Sequence, residues 1–589
     1  MASKWKAGIL TAALMLSPMS NIFAAPKDGG DWDGGHRIRH VLLISIDGMH
    51  AVDFLNCSKG IKGINGGEPY CPNLAELGET GINYLDTSTS KPSDSFPGLT
   101  AIVSGGSPRV EGIYYDVAYD RSLDPPATTT GNGVAGDPSL CTPGAPPTGT
   151  RSEYEEGIDL DKTLLNGGAP AGVDGGFASI DPNKLPRDPS KNCAPVYPWN
   201  FVRTNTIFGV IHAAGGYTAW SDKHAAYSST SGPGDGKNLD DFFAPEINSI
   251  PVNLPTVAGC NPLPDQNAVT SGDDYTTSFQ NIKCYDGLKV NAIVNEALGK
   301  KHDGSANAPV PTIFGMNFQS VSVGQKLIQK SLTPVVAGGY LDSFGTPTST
   351  LVGEIEFVDG SIAKMVAALK KSGAYDSTLI VITAKHGQSP VDSSRYLGIS
   401  TSTTDPVTTS PATILDNLGC LPFSEAPSNP TGIGPTEDDV SLIWLNSSCT
   451  TTQAVEALEQ ASPATANVAG IGQIYGGVAI TTMFNKPGLP PDGDPRTPDI
   501  LVTPNTGVTY SGSSKKQAEH GGFAHDDTNV MMLLSNPSFD RKTVFSTVET
   551  MQVAPTILKA LGLNPSALDA VKIEGTQVLP GLDFGDDRH

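Results

Sequence analysis

Short unbroken apolar runs recur along this chain, and between them apolar residues fall at helical spacing. Residues 40–47 (HVLLISID) form the first run, which ends in an acid. This is the pattern of a buried parallel strand whose carboxyl end carries chemistry. Residues 217–221, 312–318 (TIFGMNF) and 379–383 (LIVIT) read as further core strands, and residues 500–502 and 530–534 as the strands that close the core. Helical patterns fall at 73–80, from 99 onward, 201–214, 288–298, 351–371 and 553–561. Alternation of this kind predicts an α/β fold, a three-layer sandwich around a mostly parallel sheet.

Three stretches interrupt the pattern. Residues 120–200 are rich in Gly, Pro and Thr and read as a loop-rich insertion, of which 225–285 is the continuation. A second insertion spans 392–485, with a strand at 440–445 and a helix at 452–460. The whole of 36–589 is expected to form one catalytic domain. Before it, Lys4 and Lys6 precede an apolar run that stops at Ser17-Pro18, and Ala24 and Ala25 offer a cleavage point. Residues 1–24 therefore read as a secretory signal, too short to span a bilayer. No later segment is long and apolar enough to span one, so the expectation is an exported, soluble protein, periplasmic or secreted.

All eight cysteines follow the signal, an even number that suits disulfides in an oxidising compartment. Eight thiols allow about 105 pairings. Pairing of sequence neighbours is the simplest expectation: 57 with 71, 141 with 193, 260 with 284, 420 with 449. None forms a CxxC, which speaks against a thiolate zinc site. A formal net charge of −23 argues against nucleic acid as a bulk partner, since phosphate backbones need clustered Lys and Arg. A small anionic ester in a locally positive pocket remains compatible with it.

Candidate chemistry gathers where strands end. Asp47 closes the first run ahead of a glycine, where a carboxylate can reach a cation in the crevice beyond the sheet. In KPSDSFPGLTAIVSG, Ser95 precedes Phe96-Pro97 and the start of a helix, so its hydroxyl is expected near a helix N-terminus, where backbone donors favour an anionic oxygen. The competing reading is that Ser93, Asp94 or Ser95 only caps that helix. His386 in LIVITAKHGQSP and His520 in EHGGFAHDD are loop histidines beside glycines, suited to act as ligand or base.

Together these motifs resemble the type I phosphodiesterase and nucleotide pyrophosphatase branch of the alkaline phosphatase superfamily. ISIDG, SFPGLTAIVSGGSPRVEGIYYD, AKHG and EHGG carry the resemblance, with APTILKALGL and EGTQVLPGL adding to it. It implies that Ser95 is the nucleophile of a phosphoseryl intermediate. It implies that Asp47, His386 and His520 are metal ligands, and that Asp116 stands where relatives carry an Asn that holds phosphoryl oxygens. In relatives two metal ions, usually zinc, steady the attacking and leaving oxygens.

This chain departs from that pattern. Lys385 occupies the place of an acid ligand, and NFQSVSVGQK puts Val321 and Gln325 where an Asp and a His are usual. Three of six ligands are thus missing. The expected cofactor is one divalent ion rather than two, or none, with the Lys385 ammonium acting on the developing oxyanion. Lys223 and His224 (WSDKH) follow Gly-Tyr-Thr much as a substrate-contacting Lys and His do in the related sulfatases. With Asp116 and Gln325 they complete the candidate substrate-binding set. The reading is a phosphodiester or nucleotide-pyrophosphate hydrolase. The alternatives are a sulfatase or phosphonate-ester hydrolase of the same superfamily, and a non-catalytic protein that binds an anion or a partner.

Overall fold

A computed structural model describes residues 38–128, 141–271, 273–399, 410–421, 436–464, 470–511 and 513–584. The expected signal segment lies outside them. In chain order the strands used below are β1 (His40–Ile46), β2 (Gly81–Tyr84), β3 (Ala219–Ser221), β4 (Asp241–Phe243), β5 (Ile313–Phe318) and β6 (Thr378–Thr383). There follow β7 (Thr436–Glu437), β8 (Ser441–Ile443), β9 (Ile471–Gly476), β10 (Ile500–Pro504), β11 (Met532–Ser535) and β12 (Lys542–Val544). The helices are α1 (Ala51–Lys59), α2 (Pro72–Glu79), α3 (Ser95–Ser104), α4 (Ile207–Ala213) and α5 (Phe279–Ala297). After these come α6 (Ser320–Lys326), α7 (Ser349–Ser372), α8 (Pro411–Asn417), α9 (Thr451–Ala464) and α10 (Val553–Ala560).

The main sheet runs β12-β2-β11-β6-β1-β5-β3-β4. All its pairings are parallel except those of β11, which is antiparallel to both β2 and β6. Side chains alternate across a strand, so β1 feeds two cores. Val41 and Leu43 pack with Phe96, Leu99 and Ile102 of α3 and with Ile557 of α10. Leu42, Ile44 and Ile46 pack with Ile293 of α5 and with Ile355, Ile362 and Leu369 of α7. Helices thus cover both faces, which is why the central strands read as continuous apolar runs.

Three local expectations differ from what is observed. The helix expected over 201–214 is broken: a short turn at Pro198–Phe201 is separated from α4, which Thr206 caps by accepting from the Gly209 amide. Helix α5 begins at Phe279, earlier than the apolar periodicity suggested. Residues 500–502 belong to β10, which pairs with β8 and β9 in a second, smaller sheet of order β7-β8-β10-β9 and not in the main one. That sheet has its own two faces. Ile443, Ile500 and Val502 pack on Leu415 of α8 and Leu458 of α9. Leu442 and Leu501 face Tyr114, Tyr115 and Phe484.

The four cysteine pairs are 57–71, 141–193, 260–284 and 420–449, all between sequence neighbours. Among the described residues no helix is long and apolar enough to cross a membrane.

Gly315 shows how tightly the centre is packed. A Cβ there would lie 1.8 Å from the Leu43 carbonyl oxygen and 2.9 Å from the Trp220 ring. Neither a ladder carbonyl nor a fully buried indole can retreat. Gly315→Ala is expected to cost about 3 kcal/mol of stability, the upper range for overpacking a core. Equilibrium denaturation checks this, and a loss below about 0.5 kcal/mol, the scatter of neutral surface changes, would contradict it.

Candidate active site

The carboxyl ends of parallel strands β1, β3, β5 and β6 deliver Asp47, Asp222 with Lys223, Gln319, and Lys385 with His386 to one place. Helix α3 adds Ser95 at its first residue. The helix cap is Asp94, whose carboxylate accepts from the Phe96 amide at 3.2 Å and the Asp116 amide at 3.1 Å. Ser93 is occupied too, its hydroxyl donating to the Asp527 carbonyl at 2.6 Å. Ser95 is therefore not needed as a cap. Gly98 permits the approach of the next element, since a Cβ there would lie 2.2 Å from the Lys385 carbonyl oxygen.

The Ser95 hydroxyl is fully buried between two groups. Lys223 Nζ donates to its Oγ at 3.0 Å, and His386 Nε2 lies 3.1 Å from the same oxygen. The His386 tautomer follows from its other nitrogen. Nδ1 is 2.7 Å from the Gly387 carbonyl, which can only accept, so Nδ1 carries the hydrogen and Nε2 is free to receive one. Burial holds the His386 imidazole below its ordinary pKa and hence neutral, against the pull of Asp47. The arrangement is a hydroxyl with a base on one side and an ammonium on the other.

Charges are fixed around this pair. Asp47 Oδ2 lies 3.6 Å from His386 Nε2 and accepts from Gln319 Nε2 at 2.6 Å. Burial opposes the Asp47 charge, but Lys385, His386 and Lys223 together hold the carboxyl well below the usual carboxylate range. Burial likewise opposes charge on Lys223, yet Glu155, Asp47, Asp222 and Asp94 raise it above the ordinary lysine value, so it is a cation at any working pH. Its Nζ is 3.6 Å from Glu155 Oε2. Lys385 does not contact the serine. Its Nζ bonds both oxygens of Asp222 at 2.9 and 3.1 Å and lies 3.7 Å from the centre of the Tyr227 ring. Asp222 is held in turn by Trp220 Nε1 at 3.0 Å.

The remaining candidates are spread around this centre. The His520 ring lies against His386, with centroids 3.9 Å apart, and its Nε2 is 3.5 Å from Asp94 Oδ1. Burial, and after it His386, press the His520 pKa well below normal. Asp116 reaches the centre through Asp94, and burial together with Asp94, Glu155 and Glu156 raises its pKa well above the carboxylate range. His224 bonds Glu246 at 3.0 Å. The Gln325 amide donates to the Gly48 carbonyl at 2.7 Å and to Tyr340 at 2.8 Å, in a buried network with His50 and Asp53. Neither His224 nor Gln325 is brought to Ser95. Asp222, Glu155 and Tyr227 are the centre's members that sequence reading missed.

The donors do not form a cage for a divalent ion. Gln319 fills one Asp47 oxygen with an N–H, and the same amide donates to Asn317 Oδ1 at 2.5 Å, which fixes its orientation. The free nitrogen of His386 faces the serine, and two ammonium groups occupy the surroundings. Among the described residues no group of three or more His, Cys, Asp or Glu is placed to hold a metal. The single-ion centre expected on Asp47, His386 and His520 does not fit this arrangement.

Residues 41–147 match the model of the type I phosphodiesterase / nucleotide pyrophosphatase family. The resemblance read from the motifs stands. The matched stretch runs from β1 through Ser95 to beyond Asp116, and with it stands the class of phosphodiesterase/nucleotide pyrophosphatase-like hydrolase. Murine ectonucleotide pyrophosphatase/phosphodiesterase 5 superposes with a TM-score of 0.48 at 13% identity, covering 89% of this chain and 96% of its own. The human protein of that name gives 0.49 at 12% identity, covering 89% and 95%. An inactive murine form in complex with AMP gives 0.48 at 13% identity, covering 90% and 96%. No curated protein matches the chain by sequence.

Proposed function

We propose that the protein is an exported hydrolase of phosphoric esters, of the phosphodiester or nucleotide-pyrophosphate type, that works through a phosphoseryl intermediate on Ser95. One observation carries this reading: the Ser95 hydroxyl lies between the bare Nε2 of His386 and the Lys223 ammonium. In the first half-reaction Ser95 Oγ bonds to phosphorus as its proton passes to His386 Nε2, and the bond to the leaving oxygen breaks. Lys223 steadies the alkoxide character on Oγ, and Asp47 steadies the imidazolium. The proton then goes to the departing alkoxide. In the second half water attacks phosphorus, its proton passes to His386 and on to Ser95 Oγ, and a phosphomonoester leaves. Of the two reduced centres expected from the sequence, the geometry supports the ammonium form. Lys385 then acts as a positioning residue, locking Asp222 and holding Asp47 charged.

Acid quenching during turnover of bis-p-nitrophenyl phosphate, followed by peptide mass analysis, is expected to place a phosphoryl adduct on Ser95. An unmodified Ser95 at a quench time when product is accumulating would count against the covalent route. The Lys223 contact would also serve a sulfate ester. For that reason p-nitrophenyl sulfate belongs in the same assay, and faster turnover of it would favour the sulfatase reading.

A further inference from the structure

Asp439 and Asp527 meet beside the small sheet, and neither side chain bonds Ser95. Both are buried, at 2% and 1% exposure, and both line a cavity of 570 Å³ between residues 503–508 and the loop around Phe523. The two acids hydrogen-bond to each other, no other donor among the described residues reaches Oδ1 of either, and Asp439 Oδ2 accepts from Ser389 Oγ at 3.0 Å. Gly522 makes the meeting possible, for a Cβ there would lie 2.3 Å from Asp527 Oδ2 and 2.9 Å from the Asp439 Cβ. Burial and then the neighbouring acids Asp527, Glu519 and Asp438 push the Asp439 pKa well up, while burial moves that of Asp527 to about 7. Two buried carboxyls side by side in a cavity need a shared proton or a bound cation between them.

We propose that Asp439 and Asp527 bind a divalent cation of the calcium type, with Ser389 Oγ as a third protein donor and water in the cavity completing the shell. The donors are all oxygen, and no His or Cys lines the cavity, which suits a hard cation and not zinc. The ion ties the small-sheet region to the loops of the catalytic centre. The Asp527 carbonyl accepts from Ser93 Oγ and from the Gly387 amide, each at 2.6 Å, and the Asp439 amide donates to the His520 carbonyl at 3.3 Å.

The test uses the full chain, stripped by chelator and dialysed, then titrated with calcium chloride by calorimetry and by thermal melting. Wild type is expected to bind one equivalent and to melt at a higher temperature as calcium rises. Asp439→Asn is expected to bind at least ~10-fold more weakly, with most of the melting shift gone. If that variant does not fold, Ser389→Ala, which removes one neutral donor, is expected to weaken binding severalfold. Wild type without a calcium response overturns the proposal. So does an unchanged affinity in the variants, or an equivalent that is lost in Asp47→Asn and kept in Asp439→Asn. None of these readouts depends on turnover, so failure here leaves the Ser95 reading intact and the reverse holds as well.

Discussion

Ser95→Ala is expected to lower turnover of bis-p-nitrophenyl phosphate by at least ~10³-fold while leaving the protein folded. Among the described residues the serine is the one hydroxyl that both His386 and Lys223 address. Its removal does not uncap α3, because Asp94 performs that task. The structural cost is two side-chain hydrogen bonds, each worth on the order of 1 kcal/mol net. Steady-state rates alongside thermal melting separate the two effects. A variant that retains a tenth of the wild-type rate would mean that water attacks directly and that Ser95 only positions the substrate. Inactivity with a collapsed melting temperature would be uninformative about chemistry, and Ser95→Gly, which also keeps the Asp94 cap, is then the variant to read.

The fold was legible wherever a strand is covered on both faces. Residues 40–47, 312–318 and 379–383 are unbroken apolar runs because α3, α5, α7 and α10 shield both sides of β1, β5 and β6. The same rule explains the misplacement of 500–502. Strand β10 is also buried on both faces, by α8 and α9 on one side and by Tyr114, Tyr115 and Phe484 on the other, so its composition looks like a core strand. Only its partners reveal the separate sheet. Helix limits were blurred for another reason. Ser95 to Gly98 reads as a loop because Ser, Pro and Gly are poor helix formers, yet Pro suits a first turn and Gly98 is required by the contact with Lys385.

Within the centre, Asp47, Lys223, His386 and His520 stand out because each follows an apolar strand or sits beside glycines, and Ser95 because a helical pattern begins just after it. What surrounds them was not legible. Glu155 lies in a Gly- and Pro-rich stretch without periodicity, and only the folded chain sets it 3.6 Å from Lys223. Asp222 could be seen beside Lys223, but nothing in WSDKH states that it faces Lys385, 163 positions on. This contact decides which lysine is free. Lys385 stands at the sequence position of a metal ligand, whereas Lys223 reaches the nucleophile. Sequence spacing gives the residue that replaces a ligand; geometry gives the one that replaces its charge.

Lys223→Met is accordingly expected to lower kcat by about 10²- to 10³-fold, the usual cost of losing one oxyanion-stabilising group. Met keeps the apolar stem and removes only the ammonium. A purely structural role for Lys223 would predict lost stability with kcat unchanged in whatever remains folded. The pH profile gives a sharper separation. Lys223 is one of the groups that lower the His386 pKa, after burial. The base works when neutral, so wild-type kcat/KM falls on the acid side as pH drops through that lowered pKa. With the ammonium gone the imidazolium is less opposed, the His386 pKa rises, and the acid limb moves to higher pH. The same loss acts on Asp94, where burial and Glu155 raise the pKa to about 8 and Lys223 restrains it. Asp94 therefore takes up its proton more readily in the variant, and the 3.2 Å cap on α3 weakens as pH falls. Both pKa values rise in the variant, but only that of His386 sets the acid limb; Asp94 takes up its proton already near pH 8 and above. An acid limb that stays in place, with kcat within threefold of wild type, would remove Lys223 from the mechanism and leave His386 to act on Ser95 alone.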